Sequence, residues 1–404
     1  MSVKHHNRQN FPLYIHASAM NCALGESEQQ QIDALNAGVS DAMVLESTWL
    51  NDGKSTVVGK VISDLPLIDS DKMPHKNTRN NRIALSALLP IEEEIQAAIK
   101  SYGSDRIAVV VGTSTSGIED GEIALGTENK TGTLPDGYHY HQQEVANLGD
   151  FVAQYFSISG PVYTISTACS SSARVFISAK RLLKSGMVDA VLVGGADSLC
   201  KLTLNGFHGL EALSTGHCLP FSENRKGINI GEGAAFMLLS NKPNQTGIAL
   251  LGAGDSSDAH HISAPHPEGK GAMEAMQKAL DEAVLNTDQI GYINAHGTAT
   301  KLNDAMESKA IYALFSDKVA VSSTKPLTGH TLGAAGIIEA MIAYLVLKND
   351  LDIPLQINDG CVDPEFAEIQ LVKNKMKLQK KAIMSNSFAF GGNNMSLILG
   401  VADE

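Results

Sequence analysis

Short β-branched, apolar runs alternate along the chain with stretches in which apolar residues recur every three to four positions. Ile107 to Val111, Ala190 to Val193 and Val319 to Ser322 are runs of the kind expected of strands buried on both faces. Ile83 to Lys100, Ser171 to Lys184, Gly271 to Leu285 and Ala334 to Lys348 carry helical periodicity. Strands that alternate with helices predict a layered, mostly parallel α/β fold. The longest apolar stretch, Ile337 to Leu347, is interrupted by Glu339 and is too short to span a bilayer. It is predicted to be a buried helix.

One plan occurs twice. Tyr163 to Ser166 leads through a corner into the helix Ser171 to Lys184, and Val319 to Ser322 leads through a loop into the helix Ala334 to Lys348. Each unit is a strand, a loop and a helix rich in small residues. Two stacked halves are therefore expected, 1–244 and 245–404, with a seam at the turn-rich Asn241 to Gln245 and the two helices meeting in the centre. Small residues such as Gly333, Ala334, Ala335 and Gly336 would let those helices approach closely.

Composition narrows the function. A net charge of −13 argues against non-specific nucleic-acid binding, which needs a basic face, and against docking on anionic lipid. The five cysteines are scattered, with no C-x-x-C pair, so neither a disulfide framework nor a zinc site is expected and a reducing cytoplasm fits best. No uninterrupted apolar leader follows Met1 to Asn10. His139, His141, His260 and His261 lack the surrounding Cys or carboxylate frame of a metal site.

The chemistry concentrates at Cys169. The run Val162 to Ser166 stops, small residues form a corner, and a helix begins just beyond the thiol. A free cysteine is more often a structural core residue. Here its place at a helix N-terminus is expected to favour the thiolate. Two further segments, Asn294 to Thr298 and Lys325 to His330, each place a histidine beside a glycine at a strand-to-loop junction. One activated cysteine with two loop histidines is equipment for acyl-thioester chemistry.

The set T-A-C-S-S at 167–171, N-A-H-G-T-x-T at 294–300, K-x-x-x-G-H at 325–330 with Glu339 nine residues on, and F-G-G-x-N at 390–394 resembles the β-ketoacyl-acyl-carrier-protein synthases, in particular the synthase I/II branch of the thiolase superfamily. The resemblance runs from about residue 12 to residue 400. It implies the five-layered αβαβα thiolase fold with two pseudo-symmetric halves, a dimer, and an acyl carrier protein as partner. No free cofactor and no metal are implied, since substrates ride on the carrier's phosphopantetheine.

Residue by residue, it implies Cys169 as nucleophile, His296 and His330 as enolate-stabilising donors, and Lys325 with Glu339 as a buried ion pair. It also implies an oxyanion hole from the N–H groups of Cys169 and Phe390, with Phe390 as a gate. Thr298 and Thr300 would bind the phosphopantetheine arm, and Phe207, Thr115, Gly391 and Gly392 would shape the substrate pocket. Because acyl carrier proteins are acidic, a local basic docking patch is expected from Lys72, Lys76, Arg79, Arg82 and Lys301.

The chain departs from the family pattern at Lys301, where many members have proline, at Thr115, where housekeeping synthases place a branched apolar gate, and at Glu211, where they often carry arginine. These changes mark a specialised branch whose overall texture looks like the ketosynthases of bacterial aryl-polyene pigment clusters. The aromatic, His-rich segment Gly137 to Gln143 is expected at a two-fold interface, with the chain itself or with a Cys-less partner. Two alternatives are disfavoured. A non-catalytic chain-length factor would lack the nucleophile. A degradative thiolase would need a second catalytic cysteine, and Cys361 has the wrong surroundings.

Overall fold

The computed structural model describes residues 11–258 and 260–402. The stretch Met1 to Asn10, read above for a leader, lies outside the described residues. The first half begins with β1 (Leu13–Cys22), α1 (Glu28–Ala37), the antiparallel pair β2 (Met43–Glu46) and β3 (Thr56–Gly59), α2 (Arg79–Leu88) and α3 (Glu92–Tyr102). It continues through β4 (Ile107–Gly112), α4 (Ile118–Thr131), α5 (Asn147–Phe156), β5 (Val162–Ile165), α6 (Ser171–Lys184), β6 (Ala190–Asp197), α7 (Lys201–Gly209) and β7 (Gly233–Ser240).

The second half opens with β8 (Ile248–Ser257), α8 (Lys270–Ala283), β9 (Tyr292–Asn294), α9 (Lys301–Phe315), β10 (Ala320–Ser322) and the short α10 (Lys325–Thr328). It closes with α11 (Ala335–Lys348), β11 (Gln370–Leu371), β12 (Ala382–Phe388) and β13 (Asn393–Val401). The connection between β7 and β8 contains the expected seam.

Strand order gives the internal repeat its structural form. The first half is ordered β5-β4-β6-β7-β1 and the second β10-β9-β12-β13-β8, with β11 added beyond β10. Corresponding neighbours pair in the same sense: three parallel strands, then two antiparallel ones. Among the described residues the two sheets join where Leu13 and Tyr14 pair with Leu250 and Ala249.

Alternation along each strand feeds two cores at once. In β4, Ile107, Val109 and Val111 face an outer core with α2 and α5, while Ala108 and Val110 face a central core with α6 and α11. A third core packs α8 and α9 on the far side of the second sheet. The result is the αβαβα sandwich, and double burial explains the continuous apolar runs.

The central helices meet closely. A side chain at Gly336 of α11 would come within 2.7 Å of the Cβ and N of Ala173 in α6. That contact brings the N-terminal ends of α6 and α11, and the loops before them, to one place. One sequence expectation needs correction: Ile83 to Lys100 is not a single helix. Pro90 lacks an N–H and lies in a short 3-10 turn, Leu89–Ile91, that separates α2 from α3.

Candidate active site

Cys169 lies at the corner between β5 and α6. Ala168 turns the chain with a left-handed φ of 51°, strain that the neighbouring serines hold in place. Ser171 Oγ donates to Ala168 O at 2.6 Å and accepts from the Thr167 N–H at 2.8 Å. The thiol is 7 % exposed, and its ionisation differs from the sequence expectation. Burial pushes it up to about 11, outweighing the nearby Lys325 ammonium and the backbone N–H groups of Phe390 and Cys169 that favour the thiolate. The side chain is therefore a thiol near pH 7, and any reaction through its sulfur needs an acceptor for the proton.

The acceptor is adjacent. His330 Nε2 lies 3.0 Å from Cys169 Sγ, and the rings of His296 and His330 stand edge to face with centroids 5.3 Å apart. Ligand atoms of Cys169, His296 and His330 all fall within 4.8 Å of one another. Such a sulfur–imidazole set could hold a metal, but the buried Lys325 ammonium 3.3 Å from His296 Nδ1 works against a cation there. Burial first, then that ammonium, hold both imidazoles well below their ordinary value. Both rings are therefore neutral near pH 7.

Lys325 sets more than charge. Its ammonium donates to Glu339 Oε1 at 2.6 Å, to the His296 carbonyl and to His296 Nδ1. An ammonium can only donate, so Nδ1 accepts and the His296 proton sits on Nε2. His330 Nδ1 has no hydrogen-bond partner among the described residues, which leaves its tautomer free.

Sequence reading missed the carboxylates behind the first histidine. Glu307 accepts the N–H groups of His296 at 2.8 Å and Gly297 at 2.7 Å, and burial raises it to about 7. Asp304 accepts those of Phe221 at 2.8 Å and Ala299 at 3.2 Å. The available signal was two acids three residues apart on α9, directly after the H-G-T loop, on a face with buried Met306 and Ile311. Arg225 was also missed. It donates to Asp363 Oδ2 at 2.6 Å and to the Lys301 carbonyl at 3.0 Å, bracing the loop that enters α9.

A cavity of about 380 Å³ opens above these groups and reaches Cys169, His296 and His330. Phe207 and Phe390 face each other across it with ring centroids 5.7 Å apart. Thr298 and Thr300, whose hydroxyls are 2.9 Å apart, line it, as do Gly391, Gly392 and Lys301. Lys226 and Glu211 stand at the same cavity.

Other expected residues lie elsewhere. Thr115 is outside the lining; its hydroxyl is buried and donates to Asp197 at 2.8 Å. Most of the expected docking residues have partners within the chain. Arg79 is bound to the buried carboxylate of Glu232, and Arg82 donates to the carbonyls of Leu65 and Pro66. Lys76 is drawn in toward Asp150 and the Asn147 carbonyl, while Lys72 pairs with Asp69. Both arginines hold their own loops together.

Residues 73–244 match the family model described as "Beta-ketoacyl synthase, N-terminal domain", and residues 248–358 match "Beta-ketoacyl synthase, C-terminal domain". Staphylococcus aureus 3-oxoacyl-[acyl-carrier-protein] synthase 2 is 32% identical over 344 residues, 81% of this chain and 85% of its own length. The Rhizobium meliloti (strain 1021) enzyme of the same name is 36% identical over 260 residues, 60% of this chain and 61% of its own. Among solved structures, the Xenorhabdus doucetiae ketosynthase ApeO, in complex with its chain length factor ApeC, superposes with a TM-score of 0.93 at 46% identity, covering 99% of this chain and 100% of that one. Matched by both family models and alike in sequence and fold to these synthases over most of its length, the chain belongs to the β-ketoacyl synthase family.

Proposed function

We propose that the chain is a 3-oxoacyl-acyl-carrier-protein synthase acting by decarboxylative Claisen condensation. The convergence of Cys169, His296 and His330 within 4.8 Å at the floor of the cavity carries this reading. In the first half-reaction the Cys169 proton passes to His330 Nε2. The sulfur attacks the thioester carbonyl of the acyl carrier, the N–H groups of Cys169 and Phe390 receive the oxyanion, and the phosphopantetheine thiol leaves with the proton.

In the second half-reaction a malonyl thioester loses CO₂ and its enolate oxygen takes hydrogen bonds from the two imidazoles. Nε2–H of His296 is set for this by Lys325, and His330 can exchange tautomers between steps. The carbanion attacks the acyl-Cys169 carbonyl, the C–Sγ bond breaks to leave the 3-oxoacyl group on the carrier, and a proton from solvent restores the thiol. No free cofactor enters either step, and a soluble cytoplasmic setting suits a soluble carrier. Cys169→Ala should abolish acyl transfer, whereas Cys169→Gln, imitating the acyl-enzyme carbonyl, should still decarboxylate malonyl carrier protein. Intact-mass detection of normal acylation elsewhere in a folded Cys169→Ala variant would refute the assignment.

For pathway and assembly, we infer an aryl-polyene-type elongase paired with a Cys-less chain-length-factor subunit. The 46% identical ketosynthase ApeO is in complex with its chain length factor ApeC, which supports this reading. The exposed Tyr163 lies on the edge strand β5, and the exposed Tyr140 lies in the 137–143 segment. The second reading is a homodimeric housekeeping synthase, favoured by the 32% identical Staphylococcus enzyme. The chain should elongate poorly alone and gain activity with a Cys-less paralogue. Full-rate extension of saturated primers without a partner would decide for the second reading.

A further inference from the structure

Asp197, the last residue of β6, takes no part in the steps above, yet it is fully buried and has no cationic partner among the described ion pairs. Such a carboxylate needs another source of compensation. Oδ1 accepts the N–H groups of Ser114 (2.8 Å) and Thr115 (2.7 Å) and the hydroxyls of Thr113 and Thr115 (2.8 Å each). Oδ2 accepts the Ala334 N–H at 3.0 Å. Three of these donors are backbone N–H groups, which cannot reverse their role.

The two oxygens serve the two sides of the active site. Through Oδ1 the carboxylate holds the 113–116 loop, from which Ser114 Oγ donates at 3.3 Å to the carbonyl of Ala168, the residue before Cys169. Through Oδ2 it caps the entry to α11, four residues after His330, where the helix has no side-chain cap of its own. The only side chain at Gly333 that could fit here is a hydrogen, because a Cβ would lie 2.8 Å from Asp197 Oδ2 and 2.6 Å from Ser114 Oγ. Ser172 lends a second oxygen from the first half, accepting the Ile337 N–H at 3.0 Å.

We propose that Asp197 is a positioning residue that holds the Cys169 corner of the first half and the His330 loop of the second in catalytic register. This rests on the condensing reading. Its charge carries a cost to the nucleophile, since the nearby anion is one of the groups that disfavour the Cys169 thiolate.

Asp197→Asn tests it, because an amide offers one acceptor oxygen and must turn its NH₂ toward donors on the other side. The variant should keep the wild-type fold by circular dichroism and lose about a hundredfold in kcat for malonyl decarboxylation, with KM unchanged, the cost of a misplaced reacting group. Iodoacetamide alkylation of Cys169, which needs no condensing activity, should move to lower pH. A wild-type kcat would overturn the proposal whatever the alkylation profile, as would a loss wholly accounted for by unfolded protein.

Should Asp197→Asn fail to fold, Ser172→Ala removes the other borrowed cap of α11 and should lower the same kcat by a smaller factor. Wild-type kcat in that variant would then overturn the proposal. If the wild-type protein itself decarboxylates nothing, the condensing reading falls; wild-type decarboxylation that survives in the variant overturns only the role of Asp197.

Discussion

Replacing Lys325 with methionine strands the Glu339 carboxylate. Both members of the pair are about 2 % exposed, they meet at 2.6 Å, and Glu339 Oε2 has no other hydrogen-bond partner among the described residues. Removing one partner of a buried pair costs about 3–5 kcal/mol, because the remaining charge is left without compensation. The cost should depend on pH. Burial already raises the Glu339 pKa, Lys325 opposes that shift, and the substitution removes the opposition. With its folded pKa above its unfolded value, Glu339 binds more protons in the folded state. Stability then falls as pH rises from the unfolded value, by about 1.4 kcal/mol per unit, and levels off once the folded carboxyl ionises.

Lys325→Met should therefore sit close to wild type near pH 5 and lose most of the 3–5 kcal/mol by about pH 8. Lys325→Met/Glu339→Met, which replaces the whole pair by apolar groups, should recover at least about 2 kcal/mol at pH 8. It should remain poorly active, since His296 Nδ1 has lost the donor that sets its tautomer. Guanidinium unfolding followed by the single tryptophan, Trp49, gives the stabilities, and malonyl decarboxylation gives the activity. A loss under about 1 kcal/mol in the single variant at pH 8, or a double variant no more stable than the single, would refute the reasoning.

Alanine at His296 or His330 should lower malonyl decarboxylation by about a hundredfold or more, since each removes a donor to the enolate. His296→Ala should spare Cys169 acylation, whereas His330→Ala should slow it; equal acylation loss in both, read by intact mass, would contradict the division of roles. At the cavity mouth, Lys226→Glu with Lys301→Glu should raise KM for carrier-bound substrate and flatten its salt dependence, while leaving a pantetheine-linked surrogate unaffected. An equal loss with the surrogate would place these lysines in the reaction pocket instead of at a carrier contact.

Sequence alone determined the layered class, the repeated plan and the identity of the three residues, Cys169, His296 and His330, that the structure brings together. Those features are local or periodic: apolar runs mark strands buried on both faces, Ser171 to Lys184 reads as a helix over its observed bounds, and the motif residues sit in contiguous segments. The break at Pro90 is equally local, since a proline inside a helical pattern ends the helix before it. Tertiary structure decided matters that depend on distant partners. The helix N-terminus favours a thiolate at Cys169, but desolvation by the packed halves outweighs it, and no local pattern reports that enclosure. Arg79 and Arg82 look like free surface cations until Glu232, 153 residues from Arg79, and the carbonyls of Leu65 and Pro66 claim them. Asp197 and Glu307 act through backbone N–H groups, which every sequence has and none displays. A charge becomes a ligand, a cap or a buried cost only when the fold brings its partners within hydrogen-bond reach.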